Sequence, residues 1–386
     1  MTDTRPTRWT RRDLDRLAGE PATTAPVIDP ATTPRVLPEH DIWDLWPVQR
    51  EDGTTATVRE GELWMTLSAP AVGHPEHRHD IARLHLLARA GDRWTDLGHV
   101  FPDGASPGSR EWSGSALLRP DGTVSVIYTA TGERGEARPT FHQRVVEARP
   151  RLITDGGATR LARDAEHRVV LRSDGLSYLP ADEIAGGPGR IRAFRDPAWF
   201  RDPADGVAYL LVAASVPWRD RFMGAVALAR ETAEGWSLCP PLLVADGVNH
   251  EIERPHVVVH RSRYHLFFCT SRQSFHPPGA PTGLYGFVAP SLTGPYEPLN
   301  GSGLVVRNPP TRPDQAYAWW VLGDLSVVSF VNYLLPDGSD PRQLPAAEAR
   351  AAFGGTVAPV LDLTLDHATA HAVPRAGSDP APRPAE

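Results

Sequence analysis

From Asp41 onward the apolar positions fall into short runs broken by polar and turn-forming residues. Residues 63–67, 81–87, 124–128, 208–213, 225–229, 264–269 and 325–331 are rich in aliphatic, aromatic and β-branched side chains. Such side chains fit a pleated surface, so each run predicts a strand. Pro120-Asp121-Gly122 and Pro336-Asp337-Gly338 supply turn chemistry between runs. After residue 20 no long stretch repeats its apolar residues at the spacing of a helix face. The pattern therefore predicts an all-β chain. Ahead of it, residues 10–18 predict one short helix, with Thr10 as cap and Leu14 and Leu17 on one face.

Sandwich, β-helix and propeller all fit many short strands. No sharp internal period is visible, which argues against a WD40- or kelch-type array. The expected organisation is an N-terminal arm over residues 1–38, one domain over 39–373 and a Pro- and Ala-rich tail over 374–386. That tail lacks apolar periodicity and is expected to be disordered.

Composition narrows the function classes. The 386 residues carry a net charge of −7 with no block of Lys or Arg, so there is no electrostatic footprint for nucleic acid. No apolar run is long enough to span a membrane. Residues 1–12 are basic but are not followed by the apolar core of a secretory signal, so localisation stays open. Cys239 and Cys269 are expected to be buried thiols, with a single bridge as the other possibility.

Three segments place carboxylates in apolar surroundings. In Ile42-Trp43-Asp44-Leu45-Trp46-Pro47, an Asp stands between walls that could stack on a sugar ring. In Phe194-Arg195-Asp196-Pro197, a regular strand would turn Arg195 and Asp196 to opposite faces. In Glu251-Ile252-Glu253-Arg254-Pro255-His256, a regular strand would put Glu251 and Glu253 on one face. Two carboxylates that close raise at least one pKa unless an Arg compensates, and a raised carboxyl suits a general acid. Two or three carboxylates in one cleft with aromatic walls are the equipment of glycoside hydrolysis. By contrast, Pro75-Glu76-His77-Arg78-His79-Asp80 has no third ligand at metal-site spacing and is read as a polar loop.

Together these segments resemble glycoside hydrolase family 68, the levansucrases, inulosucrases and related β-fructofuranosidases. The opening Thr7-Arg8-Trp9-Thr10, residues 42–49, Glu111-Trp112-Ser113-Gly114-Ser115, Arg195-Asp196-Pro197, residues 251–254 and residues 292–300 carry the likeness in order. The resemblance implies a five-bladed β-propeller with a funnel-shaped site, acting as a retaining fructosyltransferase on sucrose. Asp44 would be the nucleophile, Glu253 the acid/base, and Asp196 the stabiliser of the transition state. Trp43, Trp112, Ser113, Arg195, Glu251 and Arg254 would line the sucrose subsites, with Arg254 easing the Glu251–Glu253 repulsion. Asp44 and Glu253 would then stand about 5–5.5 Å apart, as in retaining enzymes.

Three positions depart from or vary within the family pattern. His250 replaces an Asp that helps hold calcium in some members, and imidazole suits a hard cation poorly, so neither metal nor cofactor is expected. Arg272 stands where the acceptor is positioned, and Phe287 replaces a Tyr whose hydroxyl would lie near the site. The expected partners are sucrose and other fructose-containing saccharides, with the chain a monomer or weak oligomer. Hydrolysis with water as acceptor is the nearest competing function, and a carbohydrate-binding propeller without turnover the more distant one.

Overall fold

The computed structural model describes residues 5–17, 24–155, 158–181, 191–219, 221–336 and 339–375. All seven runs expected as strands lie within or overlap strands. Five of the strands each open an antiparallel meander: β1 (His40–Gln49), β2 (Arg110–Leu118), β3 (Phe194–Arg201), β4 (Glu253–His260) and β5 (Ala316–Val321).

From β1 the chain passes through Gly61–Pro70 and Arg83–Ala90 to Arg93–His99. From β2 it passes through Val124–Thr131 and Gln143–Ala148 to His167–Leu171. β3 leads through Ala208–Trp218 and Arg221–Thr232 to Gly235–Ala245. β4 leads through Arg263–Thr270 to Gly283–Ala289, which pairs with both Glu297–Pro298 and Leu304–Arg307. β5 pairs with Ser326–Tyr333, which pairs in turn with Phe353–Val357 and Leu361–Asp366. Parallel pairing of Val48 and Gln49 with Ala116 and Leu117 fuses the first two meanders into one sheet. β1 touches β2, β2 touches β3, β3 touches β4, β4 touches β5, and β5 returns to β1. The five opening strands thus form a closed circuit.

Strands covered on both faces read as continuous apolar runs rather than alternations. Ala208–Trp218 is buried over its first nine residues for this reason. Every strand of the circuit is also interrupted by a bulge. The register shifts between Trp43 and Trp46, Trp112 and Gly114, Arg195 and Ala198, Glu253 and His256, and Tyr317 and Trp320. Asp44, Asp196, Arg254 and Ala318 take left-handed backbone angles there, with φ of 52°, 57°, 53° and 53°. A bulge twists the strand and re-aims its side chains. It also overturns the expectation that Arg195 and Asp196 face apart: Arg195 Nε lies 3.9 Å from Asp196 Oδ2.

The arm is part of the fold. Thr7–Trp9 pairs in parallel with Leu243–Ala245, and the buried Trp9 ring meets Phe268, Phe275, Tyr285 and Phe287. Its Nε1 donates to the Ser302 carbonyl at 3.0 Å. The expected helix is a single turn, Arg11–Leu14, in which the Asp13 carboxylate accepts from the N–H and Oγ1 of Thr10. Leu14 is buried and Leu17 packs beside it, while Ala18 lies outside the described residues.

At the other end, Pro374 still pairs with Leu361 and Arg375 donates to Asp362, so the expected tail begins too early. Residues 376–386, and Asp337 and Gly338 of the second turn signal, lie outside the described residues. Cys269 is buried, Cys239 only half-buried, and both are free thiols. Among the described residues no helix is long and apolar enough to cross a membrane.

Candidate active site

The bulges of the circuit turn side chains from all five strands toward one cavity of about 500 Å³. Asp44 from β1 lies there beside Ser113 from β2, whose Oγ donates to Asp44 Oδ2. Arg254 Nη1 stands 4.0 Å from the same oxygen. Burial raises the Asp44 pKa above the ordinary value, against the pull of Arg254 and Ser113. Trp43 and Trp112 form apolar walls.

Asp196 from β3 lines the same cavity and accepts the Arg254 backbone N–H at 3.1 Å. Burial pushes its carboxyl up to about 7, with Arg195 opposing the rise and Asp44 and Glu253 adding to it. Arg195 Nη2 reaches both Glu253 Oε1, at 3.1 Å, and Glu251 Oε1, at 3.4 Å. Arg195, not Arg254, is therefore the cation that separates the two glutamates. Arg254 instead donates to the Leu45 carbonyl at 3.0 Å, its guanidinium 5.3 Å from the Trp46 ring and 5.0 Å from that of Trp320. The reason is its own left-handed backbone, which swings it away from the strand face that carries Glu253.

The strand expected over 251–256 begins only at Glu253. Glu251 precedes it and is held by the Asn249 side chain, which accepts its N–H, and by Ser274, which donates to its Oε2. Burial drives the Glu251 carboxyl upward; Arg195 opposes this and Glu253 reinforces it. The Tyr317 hydroxyl donates to Glu253 Oε2, and burial keeps that phenol protonated.

Other expectations fare unevenly. Arg272 does not line the cavity itself; its Nε donates to Asp314, which does, at 3.0 Å. Phe287 is far from the chemistry, buried against Trp9 and Phe268, so the missing hydroxyl changes the core rather than the site. His250 is buried, with Nδ1 bonded to the Phe222 carbonyl at 3.0 Å. Among the described residues no group of His, Cys, Asp or Glu is arranged to hold a metal ion.

The polar loop expected at residues 75–80 is instead a packed 3-10 turn, Pro75–Asp80, that brings Glu76, Arg78 and His79 to the cavity wall. Arg78 is buried between the rings of Trp43 and Phe353. Burial and Arg78 push the His79 pKa down to about 3, so its ring is neutral. Sequence reading also missed Tyr317, Asn332 and Tyr333. Tyr317 had a faint signal: its aromatic strand follows Glu253 at an interval like those separating the earlier motifs. Asn332 and Tyr333 had none, because nothing local marks the end of an ordinary apolar strand as a site.

Comparison with known proteins agrees with this geometry. The family model described as levansucrase/invertase, of glycoside hydrolase family 68, matches residues 1–222 and 217–377. A levansucrase of Rahnella aquatilis is 31% identical, over 93% of this chain and 92% of its own length. A levansucrase of Zymomonas mobilis is also 31% identical, over 93% and 88%. Among solved structures, an inulosucrase from Halalkalicoccus jeotgali bound to kestose superposes with a TM-score of 0.89 at 38% identity, covering 95% of each chain. With the family model spanning nearly its whole length, the chain is an enzyme of glycoside hydrolase family 68.

Proposed function

We propose that this enzyme is a retaining fructosyltransferase that takes its fructosyl group from sucrose, working at the axis of a five-bladed β-propeller. The closed circuit of five strands, each opening its own meander, supports that architecture. One observation carries the chemistry: two carboxylates with different partners converge on one aromatic-walled cavity. Asp44 is served by a hydroxyl donor and a cation, which oppose the upward pull of burial on its pKa, the setting of a nucleophile. Glu253 is served by a phenol and shares Arg195 with a neighbouring acid, the setting of a proton carrier.

In the proposed reaction Asp44 attacks the anomeric carbon of the fructosyl unit while Glu253 gives its proton to the departing glycosidic oxygen, and glucose leaves. Glu253, now a carboxylate, then takes a proton from the incoming acceptor hydroxyl, which displaces Asp44 and restores both groups. Asp196 accepts fructosyl hydroxyls beside the positive charge that builds at the anomeric centre. Because burial pushes both Asp196 and Glu251 upward in pKa, the cluster around the reacting centre carries less negative charge near neutrality than its count of carboxyls would give. That a relative of 38% identity is an inulosucrase holding kestose supports a saccharide acceptor.

The test is a time course on sucrose with glucose and free fructose measured separately and Asp44→Ala as blank. Glucose in excess of fructose is expected. Equal release would make water the acceptor and the protein a hydrolase. No glucose above the blank would overturn the reading.

A further inference from the structure

Beyond Asp44, Asp196, Glu251 and Glu253, the cavity wall also carries Glu76, whose surroundings are unusual for a surface acid. Its Oε1 accepts from the Tyr333 hydroxyl at 2.8 Å and from Arg78 Nη1 at 3.1 Å. Its Oε2 takes no bond among the described residues, yet the side chain is only 31% exposed and faces the cavity. Arg78 is locked in turn: its Nη1 also donates to the Pro75 carbonyl at 2.9 Å, and its guanidinium lies over the rings of Trp43 and Phe353 at 5.3 and 4.6 Å. Asp44 follows Trp43 directly in the chain, so this cluster and the nucleophile share a wall.

We propose that Glu76, clamped by Tyr333 and Arg78, is an acceptor-side binding residue that holds a hydroxyl of the sugar unit next to the fructosyl group. The proposal rests on the fructosyl-transfer reading above. A carboxylate fixed at one oxygen presents the other at a defined point, and charge-assisted bonds to such an oxygen are about twice as strong as neutral ones. Burial would raise its pKa, but Arg78, His79 and Tyr333 hold it near 2, so it stays an acceptor at every working pH. Arg78 already balances its charge, which favours a neutral, hydroxyl-rich ligand over a cation. Asn332 and Tyr333 border the same part of the wall, and a cavity of about 500 Å³ has room beyond the fructosyl unit. Water needs no such anchor, whereas a sugar acceptor must be ordered before it can attack. Glu76 therefore tilts the competition between sugar and water.

The experiment compares the enzyme with Glu76→Gln and Tyr333→Phe over a range of sucrose concentrations, recording glucose and free fructose. Gln keeps the size and can still accept from Tyr333, but removes the charge. The expected result is a larger share of fructosyl lost to water, with the sucrose concentration at which transfer overtakes hydrolysis raised about tenfold or more in Glu76→Gln. Tyr333→Phe, which frees the clamp, should shift the partition the same way by less, and it decides the matter if Glu76→Gln does not fold. An unchanged partition in a folded variant, whether its total rate falls or not, would overturn the role of Glu76. If the unmodified enzyme itself releases no glucose, the underlying reading fails instead, so the two failures are distinguishable.

Discussion

Glu253 receives a hydrogen bond from a phenol on one oxygen and a guanidinium on the other, and each predicts something about its replacement. Glu253→Gln keeps the size and can still accept from Tyr317 but has no proton to give. Glucose release from sucrose should fall by roughly 10²–10⁴-fold, and turnover of a fructosyl donor with a good leaving group by much less. Steady-state rates on both donors check this, and equal losses would remove Glu253 from its acid role. The carboxylates were legible in the sequence because each sits inside a short motif whose neighbours are unusual for a turn. Their cations were not. Arg195 serves Glu251 and Glu253 from another sheet, and Arg254, although adjacent to Glu253, is carried away from it by its backbone. Adjacency along a chain says little about which charge meets which once the strand is bulged.

Elements were read more easily than their irregularities. An apolar run bounded by turn residues announces a strand, but a period of two contains no sign of where a bulge will fall, and here the bulges place the site. Close backbone approach adds a second hidden constraint. A Cβ on Gly224 would lie 2.8 Å from the Ile252 nitrogen and 3.2 Å from the Glu251 carbonyl carbon. Gly224→Ala should therefore push the Glu251 segment out of line, lowering glucose release at least tenfold while the protein stays folded. Activity measured beside a thermal melt checks this, and a normal rate would mean that this approach does not set the position of Glu251. The pairing of the arm with the third meander was not legible for a related reason: three residues of parallel pairing give too short a pattern to register. Trp9→Ala would leave a void among four aromatic rings and remove the bond to Ser302. A loss of about 3–5 kcal/mol is expected in denaturant unfolding.

For the whole molecule, buried titratable groups of two kinds set opposite pH limits. Glu111, which accepts the Leu84 N–H at 2.8 Å, is raised to about 7 by burial, as Asp196 is. A carboxyl raised in the fold binds its proton more tightly there than in the unfolded chain. Its contribution is whole below the unfolded value of about 4.5 and is lost as pH climbs through 7. His79, His256 and His265 are depressed, mainly by burial, to about 3, 3 and 4. Their contribution is whole above about 6.5 and is lost as pH falls toward those values. Between about 4.5 and 6.5 the two trends oppose each other, so stability should be nearly level there, fall toward pH 7.5 on one side and toward pH 3 on the other. Glu111→Gln keeps an acceptor for Leu84 but cannot ionise. It should remove part of the fall between pH 5.5 and 7.5, on the order of 2 kcal/mol at most. Melting temperatures at pH 5.5 and 7.5 give the answer. A smaller drop in Glu111→Gln than in the parent would show that this carboxyl is carried protonated in the fold, while parallel drops would place the alkaline limit with Asp196 and Glu251 at the site itself.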